Sequence, residues 1–179
     1  MTKIISLYGG PGSGKSTVAA KLFAAMKEAG LNVELVGEEA KKWAWEKRQP
    51  VDFTQFYFFG NQSKKEYVLF DQVEYIITDA PVLLTSYYTQ VFGSAEQAVL
   101  FRSMYLNYIR MCTDKGHTHI HYFLKRNHPY QNKGRFQTEE EALKIDTQLK
   151  IFMEELGVSY KLIETGPDAF TNILNDLNK

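Results

Sequence analysis

The stretch GGPGSGKS, Gly9 to Ser16, places a lysine and a serine behind four glycines in the order GxxxxGKS. Glycines lack a Cβ, so successive backbone N–H groups can turn inward on a phosphate, and a helix starting there adds the positive end of its dipole. In that chemistry Lys15 reaches the β- and γ-phosphates of a nucleoside triphosphate and the Ser16 hydroxyl ligates Mg²⁺. The expected cradle is Gly10, Pro11, Gly12, Ser13, Gly14, Lys15, Ser16 and Thr17, with ATP and Mg²⁺ as the bound species. Asp79 ends the apolar run VEYIIT, where a carboxylate could hold a water of the Mg²⁺ shell.

A second group of residues suits a phosphoryl acceptor. VGEEAKKWAW, from Val36 to Trp45, sets Glu38 and Glu39 at the end of a β-branched run. A carboxylate within reach of a hydroxyl acceptor can take its proton as the new P–O bond forms. Either glutamate fits that role, and Glu38 lies nearer the strand end. Trp43, one helical turn on, and Tyr57 offer flat faces to a ring, and Gln62 carries a donor and an acceptor for a base edge. KRNHPYQNKGRF, residues 125–136, is polar and doubly basic, so Arg126 and Arg135 are expected to meet charge developing on a transferring phosphoryl group. His117, His119 and His121 alternate as one face of a strand would, but no second set of metal ligands accompanies them.

These residues need a scaffold that brings them together. Residues 4–8 are an apolar run that stops at glycines, the pattern of a buried strand entering a tight turn. Val18, Leu22, Ala25, Met26 and Ala29 recur at helical spacing over residues 15–29. Further strands are expected at 31–36, 73–78, 120–124 and 158–163, and helices at 53–70, 95–113 and 138–156. Thr138 and Glu141 form a capping box, while Pro167 suits the first turn of a last helix. Strands alternating with helices predict an α/β fold with a parallel sheet covered on both faces, whose ligands lie beyond the carboxyl ends of the strands.

Composition narrows the partners. A chain of 179 residues is the size of one domain, expected here to span 1–179 with a lid at about 125–137. Lys plus Arg equals Asp plus Glu, 21 each, which disfavours a long polyanion such as duplex DNA and leaves small anionic ligands. Cys112 stands alone, so no internal disulfide is expected, and the start MTKIISLYGG lacks the charged lead and apolar core of a secretion signal. The expected location is the cytoplasm. No apolar run reaches the roughly 20 residues that would span a bilayer.

Together GGPGSGKST, Glu38–Glu39, IITDAP and the lid arginines resemble the P-loop nucleoside and nucleotide kinases. The resemblance is nearest to the NadR-like P-loop kinase family, an AAA-type grouping with many phage-encoded members. It implies a P-loop NTPase three-layer α/β/α sandwich, a five-stranded parallel sheet of order 2-3-1-4-5 and a mobile lid. It also implies ATP-dependent phosphorylation, with Asp79 as the Walker B aspartate and a nucleoside- or nucleotide-like small molecule as acceptor. A glutamate ending the second strand and followed by a tryptophan is similar to deoxynucleoside kinases, where it acts as base. The Glu-Arg-Ser motif of those enzymes is missing after Asp79, and so is the Asp-Arg pair of many nucleoside monophosphate kinases after the second strand. Two other readings stand beside the first: a kinase of a nucleic acid end or a modified DNA base, and a nucleotide-dependent binding or regulatory protein. The sequence leaves the oligomeric state open.

Overall fold

The first strand, β1 (Lys3–Tyr8), alternates between two cores, with Ile5 and Leu7 on one face and Ile4 and Tyr8 on the other. Burial on both faces explains why the run is mostly apolar, with the small Ser6 buried among Ile4, Ile5, Leu7 and Tyr8, rather than alternating with exposed polar residues. This is a computed structural model, which describes residues 1–48, 53–127, 129–130 and 137–178. Beside β1 lie β3 (Tyr75–Thr78) and β4 (Thr118–Lys125), with β2 (Val33–Val36) outside β3 and β5 (Lys161–Glu164) outside β4. All four pairings are parallel, giving the expected order β2-β3-β1-β4-β5. The chain leaves β1 toward β2 and β3 on one side and later reaches β4 and β5 on the other. The carboxyl end of β1 is therefore the switch point at which such sheets form a crevice.

Helices cover both faces. On one, α1 (Lys15–Glu28) and α7 (Ala169–Leu177) bury Val18, Leu22, Met26 and Ile173 against Ile5, Leu7, Ile77 and Tyr122. On the other, α4 (Leu83–Phe92), α5 (Ala95–Asp114) and α6 (Glu139–Glu155) gather Leu83, Tyr87, Tyr105, Ile145, Leu149 and Phe152 around Tyr8 and Phe123. The short α2 (Ala40–Trp45) follows β2, and α3 (Thr54–Tyr67) packs on β2 and α4. The capping box at Thr138 and Glu141 is formed, and Ser94 with Gln97 makes another at the start of α5. No helix among the described residues is long and apolar enough to cross a membrane.

Several elements depart from the sequence expectation. Residues 82–94 carry no expected element, yet α4 forms there. Its Leu83, Leu84, Thr85, Ser86, Tyr87 and Thr89 are all buried, so polar Thr and Ser lie inside where a surface helix would show them outside. The fifth strand starts at Lys161 rather than Val158, because Val158 N–H closes the end of α6 on the Met153 carbonyl at 2.9 Å, with Gly157 at φ 68°. Pro167 lies before the N-cap Asp168 and outside the first turn of α7. Helix α3 runs through Gly60 without a break, since this glycine sits on an open face where a Cβ would touch nothing. Of the segment expected as a lid, His128 and residues 131–136, Arg135 among them, lie outside the described residues.

Candidate active site

The glycine turn after β1 is shaped by its neighbours as well as by its own backbone. Gly14 is the N-cap of α1 at φ 88° and ψ 9°, a left-handed conformation that glycine adopts without Cβ strain. A Cβ on Gly10 would lie 2.6 Å from the Ala142 carbonyl oxygen, so the loop can pass under α6 only as glycine. With glycine at its N-cap, α1 begins without an N-cap side chain bonding its first amides, and the positive end of its dipole suits an anion there. Lys15 Nζ donates to the carbonyls of Gly9 at 2.6 Å and Gly10 at 3.2 Å, so its ammonium lies over the loop that a phosphate would enter.

Arg126 follows β4 and reaches the same loop. Its Nη2 donates to the Pro11 carbonyl at 2.9 Å and to Asp146 Oδ2 at 3.2 Å, and its plane lies 5.3 Å from the Tyr130 ring centre. The Arg126 side chain is 7% exposed, and Nε and Nη1 have no hydrogen-bond partner among the described residues. Buried guanidinium N–H groups left over in this way are suited to a phosphate. Asp146 also accepts from Gly10 N–H, tying α6, the glycine turn and Arg126 into one unit. Sequence reasoning missed Asp146. It sits on the face of α6 between Ala142 and Leu149, and only its place on the buried stripe could have singled it out.

From the glycine turn a cleft of about 550 Å³ extends past the carboxyl ends of β2 and β3. Pro11 to Thr17 form one end, and Glu38, Glu39, Phe58, Gln62, Thr85, Tyr88 and Phe101 lie along its other walls. The two glutamates differ in their surroundings. Glu39 accepts from Lys65 Nζ at 2.9 Å and from the Tyr57 hydroxyl at 3.3 Å, and Lys65 holds its carboxyl below the usual carboxylate range. Glu38 is exposed to the cleft on the side of Tyr88, whose phenol is pushed up by burial first and by the Glu38 carboxylate second.

The cleft gathers Glu38, Glu39, Lys15, Ser16 and Gln62, but not every expected ring. Trp43 packs against Tyr57 and Phe58, with centroids 5.5 and 5.1 Å away, and neither Trp43 nor Tyr57 is among the lining residues. Both were expected at the acceptor; Trp43 is half-buried between α2 and α3, Tyr57 is exposed, and Phe58 lines the cleft in their place. Tyr88, Thr85 and Phe101 were not foreseen. They come from α4 and α5, and α4 itself was unexpected.

Asp79 is 5% exposed at the end of β3, and its Oδ1 is buried without a partner among the described residues. A buried carboxylate oxygen costs free energy unless it accepts a hydrogen bond, so a water held by a cation fits this position. With the Ser16 hydroxyl beside the glycine turn, the donor set is oxygen only, as Mg²⁺ prefers. No cluster of three or more His, Cys, Asp or Glu capable of holding a metal occurs among the described residues.

A family model described as an AAA domain matches residues 4–168. Among solved structures, a deoxyadenosine kinase from M. mycoides with dCMP and dCDP bound superposes with a TM-score of 0.61 at 16% identity, covering 98% of each chain. A NadR protein in complex with NR gives 0.64 at 12% identity, and the chain spans 49% of its length. The Mycobacterium tuberculosis APS kinase CysC in complex with AMPPNP and APS gives 0.52 at 14% identity over 99% and 98% of the two chains. No curated protein matches by sequence. At these identities the neighbours show the fold alone, which is that of the P-loop kinases.

Proposed function

The chain belongs to the AAA domain family, and from that premise we propose that it is an ATP-dependent phosphotransferase acting on a nucleoside- or nucleotide-like small molecule. In this reading residues 1–179 form one kinase domain. The observation that carries it is the continuous cleft running from the Lys15 loop to the Glu38 carboxylate. A triphosphate seated on the amides of residues 12–17 would turn its outermost phosphate toward that carboxylate. An acceptor hydroxyl or phosphate between them would be positioned for in-line attack.

Each residue has a separate task. Lys15 and the start of α1 bind the β- and γ-phosphates, and Lys15 leaves its two carbonyl contacts to do so. Ser16 and Asp79 would hold Mg²⁺, which when bound supplies charge to the phosphate oxygens. Arg126 is already fixed at Pro11 by Asp146, so its remaining N–H groups stabilise charge on the phosphoryl group with little reorganisation. Glu38 takes the acceptor proton. Glu39, engaged by Lys65 and Tyr57, steadies the strand end instead. Phe58 and Tyr88 supply ring surfaces, and Gln62 supplies a polar contact. The deoxyadenosine kinase and APS kinase neighbours are named for phosphorylating small nucleosides and nucleotides, in keeping with an acceptor of that class.

Labelled ATP offered with a panel of nucleosides, nucleotides and short oligonucleotides tests the proposal. One small-molecule acceptor should take label, and Glu38→Gln should abolish transfer while ATP binding persists. Label confined to oligonucleotides would replace the small acceptor with a nucleic acid end. Label in none of them would reduce the protein to a nucleotide binder.

A further inference from the structure

Behind Gln62, on the side away from the cleft, lies a buried polar cluster that the phosphoryl-transfer chemistry does not use. Glu66 is 1% exposed, sits one turn along α3 and is not among the lining residues of the cleft. It accepts a hydrogen bond from the Tyr108 hydroxyl on α5 and another from Gln62 Nε2 at 3.4 Å. Gln62 Nε2 also donates to Thr78 Oγ1 at 3.0 Å, and that oxygen in turn accepts from Ala80 N–H at 3.2 Å. An amide nitrogen has two hydrogens, and both are taken. Gln62 is 4% exposed and borders the cleft, so what it has left to offer a ligand is its carbonyl oxygen.

We propose that Glu66 decides which end of the Gln62 amide an acceptor meets, and that the site therefore selects acceptors presenting an N–H donor, such as an exocyclic amine. An ionised carboxylate only accepts hydrogen bonds, so it holds Nε2 toward itself and turns Oε1 to the cleft. A protonated Glu66, with Tyr108 still donating to one oxygen, carries its proton on the other and donates it to the Gln62 carbonyl. The amide then rotates. Thr78 can follow, because its hydroxyl can donate to the rotated carbonyl while still accepting from Ala80. In that state Gln62 presents N–H₂ to the cleft and favours a ligand carbonyl. The step moves one proton to the Glu66 carboxylate from solvent and breaks no covalent bond of the ligand.

The surroundings leave Glu66 as the group that changes charge. Burial raises its carboxyl to about 7, with the bonds from Tyr108 and Gln62 opposing that rise. Tyr105, Tyr108 and Cys112 face it from α5 and Tyr8 from β1, and burial raises all four, with Cys112 at about 11. From β4, His119 has its ring 5.9 Å from that of Tyr108, and His121 shares a 3.1 Å hydrogen bond with the Tyr8 hydroxyl. Burial lowers these histidines to about 3 and about 4, so both are neutral above pH 6. Among the described residues the other ionisable groups facing this carboxylate are neutral, so a change in its charge is felt first by its two hydrogen-bond partners, the Tyr108 hydroxyl and the Gln62 amide.

The inference rests on the cleft being the acceptor site of the proposed phosphotransferase, so its test reads binding rather than turnover. Calorimetry would compare adenosine with purine riboside and cytidine with pyrimidin-2-one riboside, pairs that differ by the exocyclic amine alone and gain no ring N–H, with saturating AMPPNP and Mg²⁺ filling the phosphate loop. At pH 8.5 the amine member should bind about ten-fold tighter, the effect of one satisfied against one unsatisfied buried hydrogen bond. By pH 6 the ratio should fall to one or below. In Glu66→Gln the ratio should stay at or below one across that range, because the new amide can donate to the Gln62 carbonyl at every pH. Tyr108→Phe, which removes a bond that lowers the Glu66 pKa, should move the midpoint of the change to higher pH. Equal binding of each pair by the wild type, an unchanged ratio and pH profile in Glu66→Gln, or no binding of either pair would overturn the inference. Discriminating binding without transfer of label would leave it standing and remove the kinase reading instead.

Discussion

Glu66 makes a prediction about folding that needs no substrate. A carboxyl whose pKa rises from 4.5 in the unfolded chain to about 7 in the folded one binds its proton more tightly when folded. Its contribution to stability is whole below pH 4.5 and is lost as pH rises through about 7, since above that the fold must keep a buried charge. The gap between 4.5 and about 7, at 1.4 kcal/mol per tenfold in affinity, amounts to about 3 kcal/mol. Glu66→Gln keeps the shape, still accepts from Tyr108 and has no charge to bury. The variant should therefore match the wild type to within about 1 kcal/mol near pH 4.5 and exceed it by about 3 kcal/mol at pH 8.5. In a chain of this length that is about 6 to 12 °C in Tm. Urea unfolding of both proteins from pH 4.5 to 8.5 measures the difference, and subtraction cancels the other titrating groups they share. A difference that stays flat over this range would mean that Glu66 is ionised at its ordinary pKa, with the burial argument wrong.

Three other perturbations address the phosphate end and the choice of glutamate. Asp146→Asn keeps an acceptor for Gly10 N–H but removes the charge opposite Arg126; the KM for ATP should rise several-fold in steady-state kinetics, and stability should fall by about 1 to 3 kcal/mol. Gly10→Ala would press a Cβ to 2.6 Å from the Ala142 carbonyl, so Tm should drop by several degrees, and calorimetry should find ATP binding weakened at least ten-fold. Lys65→Met releases Glu39, whose pKa should rise toward the ordinary carboxylate value when followed by NMR titration. If Glu38 is the base, the pH profile of transfer in Lys65→Met should remain that of the wild type.

The parts of this molecule that were legible in the sequence are those encoded locally. GGPGSGKS announces its turn within eight residues, and the capping box at Thr138 announces the start of α6 within four, because backbone geometry and first-turn hydrogen bonds depend on near neighbours. The strand order came with the family resemblance and is found in the sheet. The acceptor wall was hidden for the opposite reason. Helix α4 buries Thr85, Ser86 and Thr89 along with its leucines and exposes Val91 and Phe92, so LLTSYYTQVF defies the rule of apolar inside and polar outside, and with it went Thr85 and Tyr88. Trp43 and Tyr57 were expected at the ligand because they are large and aromatic, whereas Trp43 packs against Phe58, and it is Phe58 that lines the cleft.

Gln62 and Glu66 show how far local reading reaches at this site. Their spacing of four places both on one face of α3, which the sequence already contains. What it does not contain is the order of the polar groups across the fold, with Thr78 from β3 on one side of the amide and Tyr108 from α5 behind the carboxylate. A glutamine read alone offers a donor and an acceptor equally. Once its nitrogen is claimed by a strand and a neighbouring carboxylate, only one of the two remains, and the preference of the cleft follows from a residue that never touches the ligand. The same logic sets Arg126 against Arg102. Arg126 is buried and fixed by Asp146 and Pro11, whereas Arg102 is 41% exposed and bonds the Glu155 carbonyl on the outside of the helices. Composition cannot separate two arginines; desolvation and pre-orientation do, and a phosphate would meet only the first.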